Sequence, residues 1–188
     1  MEHRPPQRIQ ILGNSGGGKS TLARQLGDAL DLPVIHLDRY FWNPGWVPTP
    51  LPEFDAKVLE LAQGDRWVID GNYSRTLPAR IDRADLIVWI DVSRVHALWR
   101  VAKRAITNYG QTRPDMGDDC PEHIDLGFFA FVWNYPNRRG ADHRQMMEDA
   151  RAGGKWVEVL KAGREVSELV TTCNGPAAQR YIHPRLSP

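Results

Sequence analysis

Short apolar runs alternate along the chain with longer stretches in which apolar residues recur at helical spacing. The runs contain many β-branched residues, which is typical of buried parallel strands. They lie at RIQIL (8–12), PVIHL (33–37), RWVID (66–70), DLIVWID (85–91) and KWVEVL (155–160). Helical spacing is found at 22–30 and at about 52–63, 93–108, 122–134, 136–152 and 164–171. Strands that alternate with helices predict an α/β fold with a five-stranded parallel sheet.

A glycine-rich segment, GNSGGGKS (13–20), separates the first predicted strand from the first predicted helix. It fits G-x-x-x-x-G-K-[ST], in which glycines allow a close turn and backbone N–H groups point at an anion. In this pattern Lys19 reaches the β- and γ-phosphates of a nucleotide, and the Ser20 hydroxyl ligates Mg²⁺. We therefore predict that ATP and Mg²⁺ bind here. The predicted contacts are Gly13, Asn14, Ser15, Gly16, Gly17, Gly18, Lys19, Ser20 and Thr21.

Two acids follow predicted strands, where the ligands of parallel α/β sheets bind. Asp91 ends the fourth strand and is predicted to hold Mg²⁺ directly or through water. The alternative is a helix N-cap, a role that also suits Ser93. Asp38 follows the second strand. It is predicted to act as a general base for a hydroxyl acceptor, to bind a substrate, or to cap the next segment.

Two segments near these strands predict a binding region for a phosphate acceptor. HLDRYFWNPGW (36–46) contains Trp42 and Trp46, which would either cover a substrate or fill a satellite apolar cluster. IDGNYSRTL (69–77) contains Gly71, Asn72 and Arg75. The glycine allows a substrate to approach the backbone, and the arginine is suited to clamp an anion.

Arginines are frequent after the fourth strand. Arg100 and Arg104 lie one helical turn apart, opposite a predicted apolar stripe of Val95, Leu98, Trp99, Ala102 and Ile106. They either face the phosphates or are solvated. Arg113 lies in a predicted mobile loop, and Arg138, Arg139 and Arg144 follow it. Several arginines would neutralise the charge of a phosphoryl-transfer transition state. The predicted catalytic residues are Lys19, Asp38, Arg104, Arg113 and Arg139.

Composition limits the alternatives. The 188 residues carry a formal net charge of +1, so the chain as a whole is not a polycation that seeks nucleic acid. No apolar run approaches the roughly 20 residues that span a membrane, and the polar N-terminus lacks a signal peptide's apolar core. We expect a cytoplasmic protein, monomeric or dimeric. It would have one domain at 1–173 and a flexible tail at 174–188, where Gly and Pro are frequent.

The chain resembles the adenylate-kinase-related P-loop kinases. The segments that carry the resemblance are the phosphate loop, HLDRYFWNPGW, WVIDGNYSRTL, TRPDM and WNYP. Within these, they are most similar to the kinase family known as DNA topology modulation proteins (FlaR-like). The resemblance covers about residues 8–171 and implies a three-layer α/β/α fold with strand order 2-3-1-4-5. It also implies an acceptor-binding region at about 38–80, a short lid at about 107–140, and contacts of Arg100 and Arg104 with ATP. DGNYSR replaces the G-F-P-R stretch of adenylate kinases, and the lid lacks their four-cysteine zinc cluster.

These features predict ATP-dependent phosphoryl transfer to a small molecule, such as a nucleotide, a nucleoside or a sugar-like compound. A phosphate acceptor would need arginines and a hydroxyl acceptor would need a base; the sequence offers both. The second hypothesis is a nucleotide-dependent DNA-binding or regulatory ATPase. It is motivated by the family name and by the arginine-rich segments 94–104 and 138–144, and the near-neutral net charge argues against it.

Overall fold

The sheet of the computed structural model, which describes residues 5–161 and 163–174, is parallel and has five strands. This described part of the chain forms seven strands: β1 (Arg8–Gly13), β2 (Val34–His36), β3 (Trp42–Asn43), β4 (Val47–Pro48), β5 (Trp67–Asp70), β6 (Leu86–Ile90) and β7 (Trp156–Leu160). The main sheet has the order β2-β5-β1-β6-β7, and β3 pairs with β4 in a separate antiparallel hairpin. When the five strands of the main sheet are numbered alone, this is the predicted order 2-3-1-4-5.

Helices cover both faces of the sheet, which confirms the three-layer α/β/α architecture. They are α1 (Lys19–Leu30), α2 (Asp38–Phe41), α3 (Leu51–Ala62), α4 (Leu77–Arg83), α5 (Arg94–Thr107), α6 (Leu126–Ala152) and α7 (Gly163–Asn174). On one face, Leu26 of α1 and Leu169 of α7 pack against Ile11 of the sheet. On the other face, Phe54 of α3 and Met147 of α6 belong to the second core cluster.

The two helices predicted at 122–134 and 136–152 form one helix, α6, with Pro136 inside it. Proline has no N–H to donate to the carbonyl four residues before it, so it commonly breaks a helix. That carbonyl belongs to Val132, and it accepts a hydrogen bond from Asn14 Nδ2 at 2.8 Å instead. The helix continues because the phosphate loop supplies the missing donor.

The apolar stripe predicted for α5 is wrong. The helix buries Ala97, Val101 and Ala105, whereas Val95, Trp99 and Ile106 are 64%, 58% and 69% exposed. Small side chains form the buried face because the phosphate loop lies directly against it. A Cβ atom at Gly16 would stand 2.4 Å from the carbonyl oxygen of Ala97.

Within residues 5–161 and 163–174, none of the helices combines the length and the apolar character needed to cross a bilayer. The predicted tail, 174–188, lies outside the described residues except for Asn174, the last residue of α7. The segment 108–125 joins α5 to α6 and closes on itself through short bridges at Tyr109–Glu122 and Thr112–Pro121. It is called the lid loop below because it lies in the predicted lid, 107–140, which also includes the first half of α6; that a lid closes here stays a prediction.

Candidate active site

The phosphate loop turns between β1 and α1 with a backbone that only glycine adopts easily. Gly16 and Gly18 have φ angles of 78° and 101°, in the left-handed region. Helix α1 begins at Lys19 with no side-chain cap and no acidic residue in its first turn. Its N-terminal amides are therefore suited to bind an anion, and the positive end of the helix dipole favours one there.

Three side chains fasten this loop to its surroundings. Asn72, which follows β5, exchanges two hydrogen bonds with Gly13: Oδ1 accepts from the backbone N at 3.1 Å, and Nδ2 donates to the backbone O at 2.9 Å. Asn14 reaches α6, and Arg100 Nη1 donates to the carbonyl of Gly17 at 3.2 Å. Asn72 therefore holds the phosphate loop in place, and its contact with an acceptor stays a prediction.

Lys19 folds across the loop, and its Nζ donates to the carbonyl of Asn14 at 3.2 Å. Burial lowers the pKa of Lys19, and the nearby cations Arg104 and Arg113 lower it further. Asp70 and Asp38 act in the opposite direction. The lysine thus lies within electrostatic reach of acids from the ends of β2 and β5 and of arginines from α5 and the lid loop.

Asp38 begins α2 and accepts a hydrogen bond from the Tyr73 hydroxyl, with 2.6 Å between Oη and Oδ1. Burial raises the pKa of Asp38, and Asp70 adds to this; Tyr73, Lys19 and Arg113 favour the carboxylate but do not reverse the shift. Tyr73 has a φ angle of 27°, which is strained for a residue with a Cβ atom. Such strain is found where the surroundings hold a functional side chain in place.

A buried arginine supports this strained segment from below. Arg80 of α4 is fully buried and donates to the side-chain oxygen of Gln10 and to three backbone carbonyls, those of Gly71, Asn72 and Tyr73. The four distances are 2.7, 3.0, 2.8 and 3.0 Å. Burial lowers the pKa of Arg80 to about 9, so it remains charged at neutral pH. Sequence reasoning missed it because a single arginine on a short helix has no distinguishing pattern.

A buried His–Asp pair lies beside the same strands. His36 Nδ1 is 3.0 Å from Asp70 Oδ1, and both side chains are almost fully buried. The two residues are register partners at the carboxyl ends of β2 and β5. The pair places the acidic group of Asp70 where it acts on both Lys19 and Asp38.

The tryptophan hairpin, β3 and β4 with their turn, is docked on the lid loop. Trp46 Nε1 donates to the carbonyl of Pro121 at 3.0 Å, and the Gly45 amide donates to the carbonyl of Asp119 at 2.8 Å. A Cβ atom at Gly117 would stand 1.8 Å from the carbonyl oxygen of Trp42, so the two backbones are in close contact. The tryptophan hairpin and the lid loop are therefore packed against each other as one unit.

The rings of Trp42 and Trp46 lie 5.5 Å apart at 71°, and Trp42 also meets Phe41 at 4.8 Å. These contacts correspond to the satellite cluster that was one of two alternatives for the tryptophans. Both rings remain half-buried, and their contact with an acceptor stays a prediction. Gly71 has a φ angle of 134°, and a side chain there would press on Leu37.

The lid loop carries an ion-pair cluster centred on Glu122, a residue that was not predicted. Its Oε1 lies 2.5 Å from Arg113 Nε and 3.0 Å from Arg104 Nε, and its side chain is buried. Arg113 also binds Asp115 at 2.6 Å. Burial acts to raise the pKa of Asp115, but the charge of Arg113 and the nearby Ser20 hydroxyl hold it below its ordinary value. The structure thus brings together Lys19, Ser20, Asp38, Arg104 and Arg113, five of the predicted site residues.

Three other predicted residues have different surroundings. Arg75 is 63% exposed and pairs with Asp55 at 2.6 Å, and Arg139 lies on an exposed part of α6, 3.7 Å from Asp142. Asp91 lines a cavity of about 210 Å³ together with Asn14, Tyr135 and Arg144. The N-cap of α5 is Ser93, which accepts from the His96 amide, and not Asp91. The roles of Arg75, Arg139 and Asp91 stay predictions.

Solved structures share this fold. A shikimate kinase from Acinetobacter baumannii in complex with shikimate has a TM-score of 0.63 at 13% identity, covering 94% of this chain and 96% of that one. A shikimate kinase from Bacteroides thetaiotaomicron has a TM-score of 0.56 at 17% identity, over 88% and 95%. A gluconokinase from Sinorhizobium meliloti 1021 has a TM-score of 0.55 at 16% identity, over 95% of each chain. No family model matches the sequence, and no curated protein sequence matches it significantly.

These neighbours share the predicted three-layer α/β/α fold with a five-stranded parallel sheet. The likeness is one of architecture, since the identities are low. The closer resemblance to the DNA topology modulation family stays a prediction.

Proposed function

We propose that this protein is a P-loop kinase that transfers the γ-phosphoryl group of ATP to a hydroxyl group of a small polar acceptor. One observation carries the proposal. The half-buried carboxylate of Asp38 is held by Tyr73 at 2.6 Å, within electrostatic reach of the phosphate-loop lysine, Lys19. A carboxylate held in this way is suited to accept the proton that an attacking hydroxyl loses.

The loop has the features that a nucleotide with Mg²⁺ requires. The uncapped amides of α1 would bind phosphate oxygens, Lys19 would neutralise their charge, and Ser20 would contribute one metal ligand. In residues 5–161 and 163–174, no group of three or more His, Cys, Asp or Glu side chains is arranged to hold a metal by itself. Mg²⁺ commonly takes few protein ligands and completes its shell with water and phosphate, so the Ser20 hydroxyl beside a bound nucleotide is a ligand that suits it. When bound, the metal would stabilise negative charge on the phosphates.

Asp38 would act through its second oxygen, Oδ2, because Tyr73 already holds Oδ1. A raised pKa makes this carboxylate a stronger base than an exposed aspartate. Lys19, Arg104 and Arg113 would stabilise the charge that develops during transfer. Asp91 is proposed to hold the metal, directly or through water.

A hydroxyl acceptor is favoured over a phosphate acceptor by the pairing of the arginines. Arg104 and Arg113 share Glu122, and Arg75 is paired with Asp55. A second anionic substrate would have to compete with these carboxylates for the guanidinium groups. The likeness in fold to enzymes named as shikimate kinases and a gluconokinase supports the assignment to small-molecule kinases.

The test is ADP release from Mg·ATP, measured against alcohols, sugars, sugar acids, nucleosides and nucleoside monophosphates, with a water-only control. We expect a hydroxyl compound to raise turnover well above the water rate and to be phosphorylated by mass spectrometry. Lys19→Ala should abolish the reaction, and Asp38→Asn should slow it about 10²- to 10⁴-fold. Asp28→Asn, an exposed change on α1, is the matched control and should have wild-type rates.

A panel that stays at the water rate would contradict the proposal and would favour the regulatory ATPase. Salt-dependent DNA binding, compared with and without ATP, would then be the next measurement. Phosphorylation of nucleoside monophosphates alone would retain the kinase but overturn the hydroxyl acceptor.

A further inference from the structure

One buried carboxylate holds two arginines that come from different segments of the chain. Arg113 of the lid loop donates from Nε to Glu122 Oε1 at 2.5 Å, and Arg104 Nε of α5 lies 3.0 Å from the same oxygen. The Glu122 side chain is 6% exposed, and those of Arg104 and Arg113 are 24% and 17% exposed. Two guanidinium groups this close repel each other, and the repulsion is strong where water is largely excluded. The negative charge of Glu122 therefore allows both cations to lie side by side.

Hydrogen bonds of the backbone fix the position of Glu122. Its amide donates to the carbonyl of Gln111 at 3.0 Å, and its carbonyl accepts from the amide of Gly110 at 2.9 Å. These bonds join the two ends of the lid loop, because Gly110 and Gln111 lie just after the end of α5. Glu122 therefore stands at the base of the loop, beside the last turn of α5, which carries Arg104.

Helix α5 places Arg104 near the phosphate loop. Arg100, one turn before Arg104, donates from Nη1 to the carbonyl of Gly17 at 3.2 Å. Residues one turn apart share a helix face, so Arg104 lies on the side of α5 that faces the phosphate loop. In agreement with this placement, the charges of Arg104 and Arg113 both lower the pKa of Lys19.

The nitrogen atoms that contact Glu122 leave the outer ends of both arginines available. Glu122 meets each arginine at Nε, the inner nitrogen, and Arg113 also uses Nη1 to bind Asp115 at 2.6 Å. Within residues 5–161 and 163–174, the remaining outer nitrogens make no hydrogen bond; they are Nη1 and Nη2 of Arg104 and Nη2 of Arg113. The guanidinium group is planar and rigid, so holding Nε also sets the direction of the outer N–H groups. Such N–H groups are suited to bind phosphate oxygens.

We propose that Glu122 is a positioning residue of the phosphoryl-transfer site: it holds Arg104 and Arg113 at Nε and leaves their outer nitrogens to bind the γ-phosphoryl group of ATP. The inference rests on the proposed function, since it takes the phosphate loop as an ATP site. The alternative is that Glu122 competes with the nucleotide for the two cations. The contacts at Nε favour positioning, because a competing anion would occupy the outer nitrogens.

The two roles predict effects of opposite sign when the charge of Glu122 is removed. Loss of the carboxylate weakens binding of the γ-phosphate if Glu122 positions the arginines. It strengthens this binding if Glu122 competes, because the site then becomes more positive.

The test is calorimetric titration of the full chain with Mg·ADP and with the Mg²⁺ complex of the non-hydrolysable β,γ-imido analogue of ATP. The ratio of the two affinities measures the contribution of the γ-phosphate, and in the wild type it should favour the analogue. Glu122→Gln keeps the length of the side chain and one oxygen but removes the charge. This ratio should then fall about tenfold or more, while the affinity for Mg·ADP changes by less than about threefold. The matched control is Asp118→Asn, the same loss of charge at an exposed position of the lid loop, and it should keep the wild-type ratio.

A combined variant tests whether Glu122 acts through the arginines. Arg104→Met/Arg113→Met should itself lower the ratio, and adding Glu122→Gln should then change it by less than about twofold. Glu122→Asp is a second single variant, which decides the question if Glu122→Gln does not fold. It keeps the charge, but its side chain is one carbon shorter and cannot place the same oxygen between both arginines. It should lower the ratio by about threefold or more.

Four results would overturn the inference: an undiminished or higher ratio in Glu122→Gln, or in Glu122→Asp where the first variant does not fold; an equal loss of affinity for both nucleotides; a further fall of the ratio in the combined variant; or a wild type that is indifferent to the γ-phosphate. Failure of the proposed function would look different. In that case the ratio would fall in Glu122→Gln as expected, but the wild type would phosphorylate no compound of the acceptor panel.

Discussion

Asn14 of the phosphate loop donates a hydrogen bond from its Nδ2 to the carbonyl of Val132 in α6, at 2.8 Å. Pro136, one turn further on, has no amide hydrogen for this carbonyl. The loop that is expected to bind phosphate therefore completes the hydrogen bonding of a helix distant in sequence. This hydrogen bond holds helix α6 and the phosphate loop together.

This pairing predicts that two substitutions are coupled. Asn14→Ala should destabilise the protein by about 1–3 kcal/mol, because it leaves the Val132 carbonyl buried without a partner. Pro136→Ala supplies an amide hydrogen at the required position, so in the Asn14→Ala background it should recover most of that loss. Urea unfolding of the two single mutants and the double mutant measures the coupling. Strictly additive free energies of unfolding would contradict it.

Tyr73→Phe should shift the pH dependence of catalysis. The substitution removes a hydrogen bond that favours the Asp38 carboxylate, so the pKa of Asp38 rises further above its ordinary value. The base is active when it is ionised. As the pH falls, activity should therefore be lost at a higher pH than in the wild type. The profile of kcat/KM against pH reports this acidic limb. Tyr40→Phe is the control, and an unmoved limb in Tyr73→Phe would argue against Asp38 as the base.

Arg80→Met should cost about 3 kcal/mol or more in the free energy of unfolding. Arg80 is fully buried, and its loss leaves the oxygens that it binds, including the carbonyls of Gly71 and Tyr73, without their donor. Arg66→Met is the control, since Arg66 is exposed, and it should change stability by about 0.5 kcal/mol or less. Urea unfolding compares the two. Equal effects would show that Arg80 does not hold the segment after β5.

Trp46→Phe should loosen the lid loop while leaving the phosphate loop intact. The change keeps a six-membered aromatic ring but removes the pyrrole part of the indole, with the N–H that donates to Pro121 at 3.0 Å. A loss of about 1 kcal/mol corresponds to roughly fivefold faster hydrogen exchange in the peptide 109–123. Trp99→Phe, at a side chain that is 58% exposed, should leave this exchange unchanged. Unaltered exchange in Trp46→Phe would mean that the hairpin does not hold the lid loop.

Arg75→Ala should distinguish the two classes of acceptor. Arg75 is exposed and already paired with Asp55. A surface pair of this kind contributes about 1 kcal/mol or less, so neither folding nor a neutral hydroxyl acceptor depends strongly on it. We expect the KM of the acceptor to change by less than about threefold and ATP binding to be unaffected. Steady-state kinetics with the acceptor found in the panel gives the answer. A rise of more than about tenfold would restore Arg75 as an anion clamp.

Most of the sheet could be predicted from the sequence, because its central strands are buried on both faces and each strand appears as a short apolar run. The boundaries of α3 and α5 were also predicted correctly, to within one residue or two. The hairpin of β3 and β4 was not predicted, since Trp42–Asn43 and Val47–Pro48 are too short to show a periodicity. The buried face of α5 was wrong because it is made of small residues, whereas hydrophobicity alone favours the larger Trp99 and Ile106.

The phosphate loop could be identified from the sequence by itself, because its glycines and its lysine lie at fixed spacing within one short segment. The sequence also placed Asp38 at the end of a strand, and therefore at the edge of the sheet where ligands bind. The tertiary structure decided the partners: Tyr73 for Asp38, Glu122 for the arginines and Val132 for Asn14. Each of these contacts joins segments far apart in the chain, so no local pattern encodes it. They exist because the parallel sheet and the docked lid loop bring the separate strand ends and loops to one edge.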